Sequence, residues 1–317
     1  MNLQTQIPFK KQSEHLINYQ SKIFLLGSCF SENIGNKLSY YQFQSTQNPF
    51  GILFHPKAIE TFITNAINKK IYSEEDLFFQ NERWHCFEAH SSLSSSNEDQ
   101  LLTNLNATIS SAKKQVEEAT HIIITLGTSW VYRFIKTDTI VANCHKIPQK
   151  KFVKKLLTID EISESLDAII KILINKNPTL KIIFTVSPVR HLKDGFVENQ
   201  RSKSHLIAGI HALLDSVQSH IHYFPSYELM MDELRDYRFY AEDMIHPSQT
   251  AINYIWDKFV ATWFSEKSQS TMQEVQTIQK GIAHKPFHIN SNQHEQFLKK
   301  LAAKKDKIIH AFPFMKF

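Results

Sequence analysis

The sequence predicts an α/β protein, a three-layer sandwich built on a central, mainly parallel sheet. Three observations carry that prediction. Continuous apolar runs, KIFLLG (22–27), HIIITLG (121–127) and LKIIFTVSP (180–188), have the length and β-branched content of strands buried on both faces. Between them lie stretches whose apolar residues recur at helical spacing. The strand runs end in glycine or proline, the residues that start turns.

The elements follow in order. The first strand, Lys22 to Gly27, hands over to SENIGNKLSYY, a helix for which Ser31 is the expected N-cap. HPKAIETFITNAINKK, His55 to Lys70, is a second helix with Pro56 in its permitted first turn. LFFQNERWHCFEAH, Leu77 to His90, alternates about a central NER and predicts a hairpin. A helix from about Glu98 to Glu118 precedes the second strand. SWVYRFIKTDTIVANCHK predicts another hairpin, turning at Lys136–Asp138. IDEISESLDAIIKILINKN is an amphipathic helix, and Leu180 to Pro188 the third buried strand. A helix from about Gln200 to Ser219 leads to IHYFPSYELM, a fourth strand and its exit. PSQTAINYIWDKFVATWF starts a helix at Pro247 and Ser248. Beyond Ser265 the chain turns polar and Lys-rich, with two helices (268–282 and 291–305) and no strand signal. The expected organisation is a domain over residues 1–265 and a helical extension over 266–317 packed on it.

Composition narrows the function classes. With 23 Phe, 10 Tyr and 4 Trp in 317 residues, global disorder is excluded. The net charge of +5, from 36 basic and 31 acidic residues, is too small to indicate nucleic acid. Three cysteines without a CxxC pair argue against a disulfide framework or a zinc knuckle. The first 20 residues hold no apolar core of a secretory signal, and no apolar run reaches the ~18–20 residues that span a bilayer. A cytoplasmic protein without a membrane or nucleic-acid partner is expected. Only 7 Gly occur, so each is expected to sit where the backbone needs it.

Three features fall at strand ends, where open parallel sheets place their ligands. Gly27-Ser28-Cys29-Phe30 follows the first strand and opens a helix. A nucleophile on such an elbow is exposed, the helix start favours negative charge, and a thiol there is expected to have a lowered pKa. The plain alternative is a tight turn over a buried cysteine. Asp243-Met244-Ile245-His246-Pro247 precedes the last helix of the core. Its carboxylate can fix the imidazole's tautomer, the base and orienter of a catalytic triad, or it can simply be an acid at a helix start. Asn48-Pro49-Phe50-Gly51 and Gly127-Thr128-Ser129-Trp130 are loops whose glycine amides could face an oxyanion. Each also reads as a plain turn.

Taken together, the Gly-Ser-Cys-Phe start and the Asp-x-x-His end resemble the SGNH/GDSL hydrolase superfamily, and more closely the GSCFA domain family. Further marks of that family stand as NPFGILFHP (48–56), TLGTSW (125–130), VSPVRHLKDG (186–195) with NQRSKS (199–204), and DMIHPS (243–248). The resemblance covers residues 20–265. It implies that Cys29 takes the nucleophile position, with Ser28 the alternative, and that His246 and Asp243 are base and orienter. It also implies that the Gly51 amide helps an oxyanion hole. The third block aligns as Gly127-Thr128-Ser129-Trp130, without its oxyanion asparagine, which Asn143 or Asn48 would replace.

Arg190 and His191 follow the third strand, and an arginine there can hold a carboxylate or phosphate, or pair with a neighbouring acid. Asn143, Cys144 and His145 raise the question of a metal, but adjacent strand residues face opposite ways, so no metal and no cofactor is expected. The basic runs Lys146–Lys155 and Lys299–Lys307 read as solvated faces. The function expected is an ester hydrolase or acyltransferase on a small-molecule or carbohydrate ester, through Cys29 or Ser28. The alternatives are a non-catalytic small-molecule or glycan-binding module of the same fold, and a metal- or phosphate-binding protein using His191, His145 and Arg190.

Overall fold

The computed structural model describes residues 5–215 and 220–317. In chain order the elements are β1 (Lys22–Gly27), α1 (Cys29–Tyr40), β2 (Gln44–Gln47), α2 (Pro56–Asn68), β3 (Leu77–Gln80), β4 (Arg83–Cys86), α3 (Glu98–Glu118) and β5 (His121–Leu126). There follow β6 (Trp130–Phe134), β7 (Thr139–Val141), β8 (Phe152–Leu156), α4 (Ile159–Lys176), β9 (Lys181–Val186), α5 (Phe196–Leu214) and β10 (Ile221–Tyr223). A short turn α6 (Ser226–Glu228), α7 (Gln249–Trp263), α8 (Glu266–Ala283) and α9 (Asn292–Ala311) complete the order.

The central sheet has five strands in the order β10-β9-β5-β1-β2, every neighbouring pair parallel. Side chains alternate across it, and the alternation divides the core. Phe24, Leu26, Ile122 and Ile124 point to one face, under Ile59 and Phe62 of α2, Leu105 and Ile109 of α3, and Ile169 of α4. Ile23, Leu25 and Ile123 point to the other, against Phe30 of α1 and Trp256 and Phe259 of α7. Met272 and Val275 of α8 and Ile308 of α9 join that second core, so the C-terminal helices share packing with the sheet. Among the described residues, no helix is long and apolar enough to cross a membrane.

Local chemistry explains the helix starts. α4 opens on a capping box, with Thr158 accepting from the Glu161 amide and Glu161 accepting from the Thr158 amide. α2 is capped by the His55 ring and α7 by Ser248. At α1 the cap is Ser28, not Ser31. Ser31 lies a turn inside the helix, where its hydroxyl donates to the Leu26 carbonyl.

Other expectations shift as well. The polar segment QSTQ is β2, a half-buried edge strand paired with β1. Residues 152–156, all but the last inside the run read as a solvated basic face, form β8, which pairs with β6 in a three-stranded antiparallel sheet. α5 begins at Phe196, and the predicted end of that helix, 216–219, lies outside the described residues.

Gly27, at the end of β1, faces the backbone of Thr125 in β5. Its φ is +129°, and an added Cβ would lie 2.1 Å from the Thr125 carbonyl oxygen. Backbone atoms on both sides leave no room to relax. Gly27→Ala should therefore destabilise the protein by about 3 kcal/mol or more, measured by urea unfolding; a loss near that of an ordinary surface change would refute the assignment.

Candidate active site

The carboxyl ends of β1, β5 and β9 lie side by side, and one loop straps the first two together. Asn48, with φ +41°, turns the chain after β2 and accepts the Gly27 amide on Oδ1 at 2.9 Å. Farther along, the Leu53 amide donates to the Gly27 carbonyl, and the Phe54 carbonyl accepts from the Gly127 amide at 2.8 Å. Gly27, Gly51 and Gly127 are thus brought to one edge of the sheet. Their amides are not free, however. The Gly51 amide closes its own turn on the Asn48 carbonyl at 2.8 Å, and the Gly127 amide is spent on Phe54. Neither glycine supplies the expected oxyanion donor.

Cys29 is the first residue of α1 and half-buried. Ser28 is fully buried, and its hydroxyl oxygen accepts from the Phe30 amide as the helix cap. That commitment leaves it poorly placed as the alternative nucleophile. All three thiols are pushed up by burial, Cys86 to about 12 and Cys144 to about 11. Cys29 is also raised, by burial first and by Glu32 second, against the pull of Lys203 and of the amides of Cys29 and Phe30. The expected lowering at a helix start is present but outweighed by desolvation.

The Asp243–His246 pair forms as its spacing requires. Asp243 Oδ2 meets His246 Nδ1 at 2.6 Å, while Oδ1 accepts the amides of Ile245 and His246 at 2.9 Å each. Those amides and the imidazole hold the Asp243 carboxyl down at about 2. Both side chains are about half exposed. The loop docks on the end of β9, where the Arg190 amide donates to the Ile245 carbonyl. Among the described residues, no hydrogen bond joins Cys29 Sγ to His246.

Residues to which sequence reasoning gave no role organise the loops at this edge. Asn199, Ser202 and Lys203 stand at i, i+3 and i+4 on one buried face of α5, and each ties down a different loop. Asn199 Oδ1 accepts the His191 amide. The Ser202 hydroxyl meets Thr128 Oγ1 at 3.0 Å and accepts the Ser129 amide at 2.8 Å, so buried Ser129 anchors its loop instead of facing a ligand. Lys203, fully buried, donates from Nζ to the carbonyls of Gly127 and Ser187 at 2.7 Å each. Burial lowers its pKa to about 7, with Cys29 pulling the other way. The i, i+3, i+4 spacing in NQRSKS was the available signal.

His191 packs its ring on Phe54 and its Nε2 over Gly127, where an added Cβ would lie 3.2 Å from it. That nitrogen is buried without a hydrogen-bond partner, and burial, Lys203 and His246 push the ring down to about 3. Asn48 Nδ2 is likewise buried and unpartnered. Two polar atoms able to donate hydrogen bonds thus remain uncommitted at this edge. The other candidate for the missing asparagine, Asn143, uses its Oδ1 to accept the His145 amide. Residues 142–146 form a turn, not a continuing strand, and His145 Nε2 bonds the Cys86 carbonyl.

Removing Lys203 tests its place. Lys203→Met keeps much of the volume but leaves two buried carbonyls unpaired, at about 1–3 kcal/mol each. Urea unfolding should show a loss on the order of 3 kcal/mol, and alkylation of Cys29 should need higher pH; an unchanged alkylation profile would separate Lys203 from the thiol.

A cavity of about 730 Å³ lies elsewhere, between α2, β4 and the three-stranded sheet. Most of its charges are already paired, as Lys57–Glu60, Arg133–Asp138 and Lys155–Glu161. It offers a ligand little unspent charge.

A family model described as "GSCFA family" matches residues 22–259, and one described as "GSCFA domain protein, C-terminal domain" matches residues 275–317. No curated protein sequence matches the chain. Among solved structures, the chain is similar to a carbohydrate esterase family 3 protein from Talaromyces cellulolyticus. The identity is 8% and the TM-score 0.28, over 52% of this chain and 66% of that one. The chain thus spans less than two thirds of that esterase's length, and a match at that TM-score carries no argument.

Proposed function

The chain belongs to the GSCFA family, and from that premise we propose that it is an SGNH-like enzyme that transfers or hydrolyses an acyl group from a small ester. The observation that carries the reading is the Asp243–His246 pair, joined by a 2.6 Å contact in a loop docked through the Arg190 amide at the carboxyl end of β9, the edge at which β1 hands over to Cys29. With Nδ1 bound to the carboxylate, His246 presents Nε2 as the base. Nε2 takes the proton of Cys29, and the thiolate adds to the ester carbonyl. The oxyanion is met by Asn48 Nδ2 and by the Cys29 amide, the first of α1. Collapse breaks the C–O bond, and the leaving alkoxide takes the proton back from His246. The thioester then passes its acyl group to water or to a second hydroxyl, with His246 again moving the proton. Without substrate, catalytic hydrogen bonds are often long, which accommodates the open Cys29–His246 gap. An acylated carbohydrate is the substrate class the family resemblance implies.

One observation favours a second reading. The amides of Gly51 and Gly127 are both spent within the protein, as suits a binding module that kept the cleft without the chemistry. Incubation with an activated short-chain acyl ester, followed by intact-mass spectrometry, separates the two. Acyl transfer predicts one adduct, mapped to residue 29. A folded protein that never acquires it is a binding module.

A further inference from the structure

We propose that the concavity formed by Arg190, Arg235 and Tyr240, beside the Asp243–His246 loop, is a subsite for an oxyanion, the phosphate or carboxylate of a substrate or acceptor. Its volume is about 130 Å³, and Met230, Met231 and Leu234 supply its apolar wall. Two guanidinium groups line it. Among the described residues, neither has a carboxylate within salt-bridge distance. The one acid on its rim, Asp236, is committed to Arg238 at 3.0 Å and to the Arg238 amide. Arg190 lies on the Tyr240 ring, 4.2 Å from its centroid, and 5.3 Å from that of Tyr237. This contact holds the guanidinium against the ring, and with no carboxylate paired to it, it can bind an oxyanion through two parallel hydrogen bonds.

A second observation points the same way. Tyr240 is buried, and its hydroxyl makes no well-formed hydrogen bond, the Arg190 guanidinium being the group within its reach. A buried phenol without a well-formed hydrogen bond is costly, and an anion between it and the guanidinium would accept a hydrogen bond from each. The subsite also adjoins the chemistry. Arg190 donates its amide to the Ile245 carbonyl, inside the Asp243–His246 loop, and the next residue is His191, whose ring covers Gly127.

The substrate role rests on the acyl-transfer reading; anion binding does not. Calorimetric titration of the full chain with inorganic phosphate, and separately with acetate, tests it. Saturable binding of one of them is expected, at least tenfold weaker in Arg190→Gln and in Arg235→Gln. Arg235 is exposed, so its variant reports on binding even where loss of the Arg190 stack costs stability. Preference for phosphate or for acetate identifies the group. No binding of either anion, or binding undiminished in both variants, overturns the subsite. Phosphate binding without any Cys29 adduct would retain the subsite and remove the acyl-transfer reading. An adduct without anion binding would do the reverse.

Discussion

Cys29→Ala should abolish the acyl adduct and lower turnover of an activated ester on the order of 10⁴-fold, the scale of losing a covalent nucleophile. The fold should hardly notice, because Cys29 is half-buried at the first position of α1 and the cap belongs to Ser28. Ser28→Ala has a different signature. It removes the hydroxyl that accepts from the Phe30 amide, costing about 1 kcal/mol of stability, and should leave the adduct in place. Asp243→Asn should keep the loop but lose the charge that holds Nδ1 protonated, reducing the rate of adduct formation by 10²-fold or more on the order expected for a wrong tautomer. Time-resolved intact-mass spectrometry reads all three. If Ser28→Ala loses the adduct while Cys29→Ala keeps it, the nucleophile is Ser28 and the cap is not its only work.

The parts of this site that were legible in the sequence are those in which local order determines geometry. Asp243 and His246 meet because two residues separate them, and Cys29 starts a helix because β1 ends in glycine. The five-stranded sheet was readable to the extent that its strands are apolar. β2 escaped because it is an edge strand of four polar residues, whose place comes from pairing with Lys22–Leu25. β8 escaped because it lies in a Lys-rich run and its middle three residues are exposed, so that its backbone pairing with β6 makes it a strand. The glycine amides were misjudged for a similar reason. Which partner an amide takes is a tertiary fact, and here the 48–54 strap takes both. Lys203 was hidden most deeply, since a lysine among polar residues reads as solvent-facing until the helix face is known to be buried.

Acid should unfold this protein well before its carboxylates are fully protonated. Four histidines are held neutral, three of them buried and His191 half-buried with its Nε2 enclosed: His55, His121 and His145 are pushed down to about 4 and His191 to about 3, desolvation being the largest cause in each. The hydrogen bonds agree with neutrality. His55 Nδ1 accepts the Ala58 amide as the cap of α2, so Nε2 must carry the proton it donates to the Val141 carbonyl; a second proton would break the cap. His191 has no partner to offer a charged ring at Nε2. In the unfolded chain all four titrate near 6.5. Between that pH and about 4 the unfolded state therefore binds more protons than the folded one, and stability falls as pH falls. Each histidine contributes at most about 1.4 kcal/mol per pH unit, so the four together approach a limiting slope of about 5. Glu228 and Asp257, raised by burial, act in the opposite sense at the acid end and blunt the fall. Against a total stability of about 5–15 kcal/mol, the chain should be largely unfolded near pH 4.5. Urea titrations at pH 7, 6 and 5 measure the slope. His55→Gln should be less stable at pH 7 and lose stability less steeply below it, by about one proton. Equal stability at pH 7 and 5 would mean that these rings are not held neutral as described.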